Sequence, residues 1–166
     1  MSHTLVLLRH GKSVYPKGVK DHQRPLAPRG HRQAKLAGEW IREHVGDFDL
    51  ILCSTSVRTR MTLEEADLKG PVKYLDDLYT ASHHAYLDVI EEDGGKAKKV
   101  ALVGHEPAIS ATALALISNR DSKPARVIES KFPTSAVAVL QGPRSFSDLE
   151  TGRMTLEHFY VPERHH

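Results

Sequence analysis

The hydrophobic positions of the chain fall into two patterns, short continuous runs and longer stretches with helical spacing. The continuous runs predict strands that are buried in a sheet. Four of them occupy the first two thirds of the chain: residues 4–8, 49–53, 72–75 and 100–103. The run at 72–75 is the weakest of these. Two later runs, at 135–140 and 154–161, predict strands that are antiparallel neighbours.

The stretches with helical spacing lie between these runs and predict helices. They are residues 29–45, 55–66, 83–92 and 108–118. Pro107 precedes the last stretch, and proline is favoured in the first turn of a helix. Because strand and helix alternate through most of the chain, the pattern predicts an α/β fold. We expect a three-layer α/β/α sandwich with a mostly parallel central sheet.

Length and composition exclude several classes of protein. At 166 residues the chain predicts a single domain over residues 1–166. Its one cysteine excludes an intramolecular disulfide and a multi-cysteine zinc site. No apolar run approaches the ~18 residues of a membrane span, and Met1–Thr4 lacks the shape of a signal peptide. We therefore expect a cytoplasmic protein without a membrane partner.

Charge narrows the range of partners. The chain has 23 Lys+Arg and 21 Asp+Glu, a formal net charge of +2. This balance argues against a general nucleic-acid binder, although it is compatible with a local basic pocket. Histidine is unusually frequent, with 11 in 166 residues, which indicates that some of the histidines have a chemical role.

Basic residues and histidines follow three of the predicted strands. Arg9-His10-Gly11 ends the first strand, Arg58 comes shortly after the second, and His105 follows the strand at 100–103. The carboxyl ends of parallel strands form one edge of a sheet, which is where such folds carry their sites. Each residue alone would more often be structural. Two arginines and two histidines at one edge instead predict a phosphoryl-transfer site.

Each of these residue types suits that chemistry. Neutral imidazole is a nucleophile that can be phosphorylated, and the Gly11 backbone permits close approach to His10. The planar guanidinium of Arg9 matches an oxyanion. Arg58 falls in the first turn of a predicted helix, where free N–H groups and the helix dipole favour anions.

The same residues carry a resemblance to a known family. Leu8-Arg9-His10-Gly11, Ser54-x-x-x-Arg58-x-x-x-Thr62 and Val103-Gly104-His105-Glu106-Pro107 resemble the histidine phosphatase, or phosphoglycerate mutase-like, superfamily. The short chain and the segment Arg24-Pro25-Leu26-Ala27-Pro28-Arg29-Gly30 are similar to its SixA-type branch, named for phosphohistidine phosphatases. The resemblance spans roughly residues 4–140 and implies the phosphoglycerate mutase-like fold. It also implies that His10 is the nucleophile and that Arg9, Arg58 and His105 bind the phosphoryl group.

One departure from the larger branches concerns the general acid. They carry a glutamate after the third strand, whereas residues 75–82 of this chain contain none. General acid catalysis is worth ~10²–10⁴ in rate for a poor leaving group. An imidazole, whose conjugate acid has a pKa of ~6.5, leaves far more easily. The absence of this glutamate therefore favours the cleavage of P–N bonds or aryl phosphate esters. Glu106 and Asp21 are the remaining candidates for a general acid.

Further residues are predicted to extend the pocket or to be structural. Lys12, Ser13, Arg24 and Glu106 are candidate substrate-binding residues, and Asp21 pairs with Arg24 either to fix the loop or to orient it for substrate. Cys53 is expected to be an inert core thiol. Histidines outside the motifs are expected at the surface: His3, His22, His31, His44 and His158. His165 and His166 are either native or the remnant of a tag.

The sequence thus predicts a phosphatase that works through phosphohistidine at His10 and needs no cofactor or metal. The favoured substrate is a phosphohistidine on a partner protein. Two alternatives remain: a small-molecule phosphatase, for which a deep pocket lined by Tyr79, His83 and Arg24 would argue, and a phosphate-binding module without turnover. A mutase is disfavoured, because the chain shows no insertion that would hold a second phosphate.

Overall fold

A central sheet forms the middle layer of the computed structural model, which describes residues 2–79 and 82–162. Its strands are β1 (His3–Arg9), β2 (Leu50–Ser54), β3 (Val72–Leu75), β4 (Lys99–Gly104), β5 (Val137–Gly142) and β6 (Thr155–Tyr160). Their spatial order is β3-β2-β4-β1-β5-β6. The strands β1 to β4 are mutually parallel, and β5 and β6 are antiparallel to their neighbours. The predicted mostly parallel sheet and the antiparallel late pair are confirmed.

Helices cover both faces of this sheet. They are α1 (Pro28–His44), α2 (Val57–Ala66), α3 (His83–Gly94), α4 (Ala108–Leu116) and α5 (Lys123–Ser130). Alternate residues of β1 point to opposite faces. Val6 and Leu8 pack with α1 and α2, whereas Leu5 and Leu7 pack with α3, α4 and α5. The three-layer sandwich is therefore confirmed. Within the described ranges, no helix is long and apolar enough to cross a membrane.

Strand register sets the position of the site. Arg9 at the end of β1 pairs with Gly104 at the end of β4, and Cys53 of β2 pairs with Val103. The three central strands therefore end at one level. The residues that follow them emerge side by side at the same edge of the sheet.

Three differences between the observed elements and the sequence pattern have a local structural cause. Helix α5 was not predicted, since it is short and buries only Ala125 and Ile128. Helix α2 begins at Val57 because the Ser56 side chain accepts the backbone N–H of Thr59 and caps the helix. Strand β5 starts two residues late because Ser135 has a φ of 58°, outside the strand region.

Two residues outside the predicted site can now be placed. Cys53 is fully buried, and burial raises the pKa of its thiol to about 12, so the expectation of an inert thiol is confirmed. His3 was expected at the surface, and this is wrong. It is 7% exposed and packs edge-on against Phe146, with 5.9 Å between ring centroids.

The packing of α1 on α2 generates a stability prediction. A Cβ at Gly38 of α1 would overlap the backbone of Ala66 in α2. We expect Gly38→Ala to lower the free energy of unfolding by about 1–3 kcal/mol, because two helix backbones must separate. Helix propensity alone would raise it by up to ~1 kcal/mol.

Urea denaturation measures this difference. Lys35→Ala, on the exposed side of the same helix, is the matched control and should stay within about 0.5 kcal/mol of the wild type. A Gly38→Ala protein as stable as the wild type would contradict the packing.

Candidate active site

A cavity of about 510 Å³ opens at the carboxyl ends of β1, β2 and β4. All eight site residues predicted from the sequence line it: Arg9, His10, Lys12, Ser13, Arg24, Arg58, His105 and Glu106. Four further residues complete the lining: Tyr15, Asp21, Tyr79 and Thr134. The predicted convergence at one edge of the sheet is therefore observed.

His10 is held as a neutral ring with a defined tautomer. Its Nδ1 lies 2.7 Å from the carbonyl oxygen of Gly11. A carbonyl can only accept, so Nδ1 carries the proton and donates it, which leaves the lone pair on Nε2. The pKa of His10 is lowered to about 3, because burial disfavours the imidazolium form and the cations Arg58 and Arg9 repel it.

The backbone around His10 is fixed from several sides. The Gly11 N–H donates to the Thr62 hydroxyl at 2.9 Å, and that hydroxyl donates to the Arg58 carbonyl at 2.7 Å. A Cβ at Gly11 would lie 2.7 Å from the Gly30 carbonyl oxygen, so the close approach of α1 requires glycine there. These contacts join the loop that contains His10 to the helix that carries Arg58.

Arg58 is 6% exposed and points into the cavity from the first turn of α2. Its NH1 donates to the Asp21 carbonyl at 2.8 Å, and its NH2 donates to the Asp21 carboxylate at 3.1 Å. The Nε of Arg58 is buried without a hydrogen-bond partner. Arg9 repeats this arrangement, with NH1 donating to the Phe132 carbonyl at 2.8 Å and a buried, unpartnered Nε. An oxyanion between the two guanidinium groups would find donors that the protein leaves unpaired.

His105 faces His10 across the cavity, with 5.3 Å between the ring centroids. Its Nε2 lies 2.8 Å from the hydroxyl of Ser54, which also accepts the backbone N–H of Ser56. The Ser54 hydroxyl can donate to Nε2, and in that tautomer the ring proton of His105 lies on Nδ1, where it can be donated to an anion. Burial and the positive charge of Arg58 lower the pKa of His105 to about 4, so the ring is neutral.

The loop after β1 is organised around Arg24. Its guanidinium donates to the Asp21 carboxylate at 3.0 Å and to the Ser13 hydroxyl at 2.8 Å, and it lies 3.9 Å from the ring centroid of Tyr15. The predicted pairing of Asp21 with Arg24 is present. Most of the donors of Arg24 serve the loop, which favours the loop-fixing role over a substrate contact. Lys12 instead stands exposed at the rim.

Two acid candidates differ in their surroundings. The Asp21 carboxylate accepts hydrogen bonds from the Tyr79 hydroxyl, Arg24 and Arg58, and these hold its pKa far below the usual range. Asp21 therefore stays ionised, which argues against it as a general acid. Glu106 lines the cavity and accepts the backbone N–H of Ser110 at 2.7 Å, in the first turn of α4.

Sequence reasoning gave Tyr79 too small a role. Its hydroxyl donates to Asp21, and its ring packs edge-on against His105 at 5.5 Å and His22 at 4.8 Å. Tyr79 thereby fixes the position of the Asp21 carboxylate, which accepts a hydrogen bond from Arg58. His22, expected at the surface, is partly buried here and hydrogen-bonds Thr55 at 3.0 Å. No motif marks these contacts, because they form between segments that are distant in the chain.

The neutral His10 generates a pH prediction. Its Nε2 must be unprotonated to attack, and a pKa of about 3 keeps it so throughout the neutral range. After correction for substrate ionisation, we expect kcat/KM for an aryl phosphate to stay flat between about pH 7 and about pH 5. Circular dichroism at each pH checks that the fold persists. An acid limb centred at the ordinary histidine pKa of ~6.5 would contradict the assignment.

Comparison with known proteins agrees with this geometry. The model of the histidine phosphatase superfamily (branch 1) matches residues 5–83. An uncharacterized protein of Mycobacterium tuberculosis is 43% identical over 157 residues, which are 93% of this chain and 99% of that protein.

Two solved structures are similar over nearly the whole chain. A candidate phosphohistidine phosphatase SixA from Nakamurella multipartitia is 34% identical with a TM-score of 0.89, and 98% of each chain is covered. Another, from Agrobacterium tumefaciens, is 30% identical with a TM-score of 0.81, and it covers 96% of this chain and 98% of that one. The chain therefore belongs to the histidine phosphatase superfamily and to its SixA-type branch.

Proposed function

We propose that the chain is a phosphohistidine phosphatase that works through a covalent phosphohistidine intermediate on His10. The observation that carries this is the neutral His10 ring, with its proton held on Nδ1 by Gly11, in a cavity shared with two arginines that keep unpaired donors. A nucleophile and oxyanion donors in one cavity are the requirements of phosphoryl transfer. Membership of a phosphatase superfamily supports the hydrolase class.

In the first step, Nε2 of His10 attacks phosphorus in line with the departing group. The N–P bond forms with the lone pair of Nε2, and the electrons of the old bond leave with the leaving group. Arg9 and Arg58 bind the equatorial oxygens, and His105 donates through Nδ1–H. The positive charge of the two arginines stabilises the negative charge on these oxygens in the transition state.

In the second step, water attacks the phosphoryl group on His10. The N–P bond breaks and its electrons return to Nε2, and the water proton passes to a phosphate oxygen or to solvent. Inorganic phosphate and neutral His10 are regenerated. The Gly11 carbonyl stabilises the positively charged ring of the intermediate, since it accepts from Nδ1–H in both steps.

The substrate is inferred from the leaving group. Asp21 is held ionised, and Asp76 and Asp77 are exposed on the turn after β3, so these carboxyls are poorly suited to protonate an alkoxide. An imidazole can leave without that help and take its proton from water.

Access to the cavity favours a protein over a small molecule. Tyr15 at the rim is 81% exposed, and Lys12 beside it is exposed as well. A small-molecule site would be deeper and enclosed by Tyr79, His83 and Arg24. Tyr79 and Arg24 line the observed cavity, but His83 does not. The names of the SixA-type relatives support the same choice.

Kinetics of two variants test the roles of the nucleophile and of one oxyanion donor. We expect His10→Ala and Arg58→Ala each to lower kcat/KM for an aryl phosphate by about 10²–10³ or more. Arg60→Ala is the matched control, because Arg60 lies on the same helix but outside the cavity. Undiminished turnover by His10→Ala would overturn the assignment. A wild type that binds phosphate but has no turnover would make the protein a binding module.

The leaving group provides a separate test of the missing acid. We expect kcat/KM across a series of aryl phosphates to fall steeply as the leaving-group pKa rises. Glu106→Gln keeps the acceptor for the Ser110 N–H and should reduce all members of the series equally, by less than about tenfold. A loss that grows with leaving-group pKa would instead identify Glu106 as the general acid. Faster hydrolysis of a sugar phosphate than of a phosphohistidine peptide would favour the small-molecule alternative.

A further inference from the structure

A second cavity, of about 540 Å³, adjoins the catalytic cavity and shares part of its wall. Arg9, Lys12 and Thr134 line both cavities. The second cavity extends from them between the start of α1, which contributes Arg29, and the segment after α5, which contributes Lys131. We call this second cavity the basic groove.

The lining of the basic groove is strongly positive. Among the described residues it includes four cations, Arg9, Lys12, Arg29 and Lys131, and no Asp or Glu. The catalytic cavity, in contrast, also holds Asp21 and Glu106. Since the whole chain has a net charge of only +2, four cations around one groove are a local concentration of charge. Such a surface attracts anions and accelerates their encounter with the protein.

The shared wall determines how a bound molecule would lie. Arg9 is fixed by its hydrogen bond to the Phe132 carbonyl and borders both cavities. A substrate with its phosphoryl group at His10 can therefore extend across this shared wall into the basic groove. A second anionic group on that substrate would be close to Lys12 and Lys131.

The chemistry of the groove favours carboxylates over a second phosphate of a nucleotide. No aromatic ring lines it among the described residues, so it offers no surface on which a base could stack. Its cations come from separate segments of the chain and are spread over a volume as large as the catalytic cavity. Dispersed point charges suit several carboxylate side chains on one polypeptide.

We propose that the basic groove binds Asp and Glu side chains that flank the phosphohistidine of a protein substrate. It thereby selects acidic segments among phosphohistidine proteins. This inference rests on the proposed function, since it assigns a substrate class to the same site. Lys12, Arg29 and Lys131 are exposed, so each contributes modestly and its contribution is screened by salt.

Two matched phosphohistidine peptides test the proposal, one with Glu at the flanking positions and one with Gln. The readout is the ratio of kcat/KM for the Glu peptide to that for the Gln peptide. In the wild type we expect a ratio well above one that decreases as salt is added. Lys131→Glu should lower the ratio about five- to tenfold, because an attraction becomes a repulsion. Lys96→Glu, an exposed lysine before β4 at the other end of the sheet, should leave it unchanged.

Equilibrium binding makes the test independent of turnover. Fluorescence anisotropy of the same two peptides, without phosphate, on His10→Ala protein should show tighter binding of the Glu peptide and loss of that preference with Lys131→Glu. Circular dichroism confirms that each variant is folded. If the wild type hydrolyses neither peptide, the proposed function fails, while this binding difference still decides the inference.

Three results would overturn the inference. In the first, the wild type treats both peptides alike in kinetics and binding. In the second, Lys96→Glu lowers the ratio as much as Lys131→Glu, which indicates only a general effect of net charge. In the third, tripolyphosphate inhibition is weakened by Lys131→Glu while the peptides are not distinguished, which assigns the groove to a polyphosphate.

Discussion

The hydrogen bond from His10 Nδ1 to the Gly11 carbonyl is the interaction on which the rest of the site depends. It places the ring proton on one nitrogen and leaves the other nucleophilic. Burial and two neighbouring arginines then keep the ring neutral. In the proposed reaction the same arginines bind the phosphoryl oxygens, so one arrangement would both keep His10 nucleophilic and bind the group that it attacks. Glycine is required at position 11 because the Gly30 carbonyl passes so close.

Much of the fold could be predicted from the sequence because its strands are buried on both faces. A run such as residues 100–103 has no polar position, and only a central strand accommodates it. Because these strands alternate with amphipathic helices along the chain, the three-layer arrangement could be predicted as well. Helix α5 was missed because it depends on the Ser122 cap and two buried side chains rather than on a long apolar stripe. The late start of β5 reflects the backbone of Ser135, which no hydrophobic pattern encodes.

The residues of the candidate site likewise fall into those that could be predicted from the sequence and those that could not. His10, Arg58 and His105 could be predicted because each follows a strand end, and parallel strands end together. Arg24 could be assigned to the loop, but its main partners became clear only from the hydrogen bonds that it donates. Tyr79 supports Asp21 across 58 residues of chain, a contact that depends on folding rather than on local spacing. Sequence patterns indicate the chemistry of neighbouring residues, whereas contacts such as that of Tyr79 with Asp21 form only in the tertiary structure.

The most direct test of the central claim is to trap the intermediate. Enzyme mixed with an aryl phosphate is quenched in alkali, where phosphohistidine survives, and digested for mass spectrometry. We predict that one phosphoryl group is found on the peptide that contains His10, that it is lost in acid, and that it is absent from His10→Ala protein. Turnover without this adduct, or a phosphoryl group on another residue, would contradict the account.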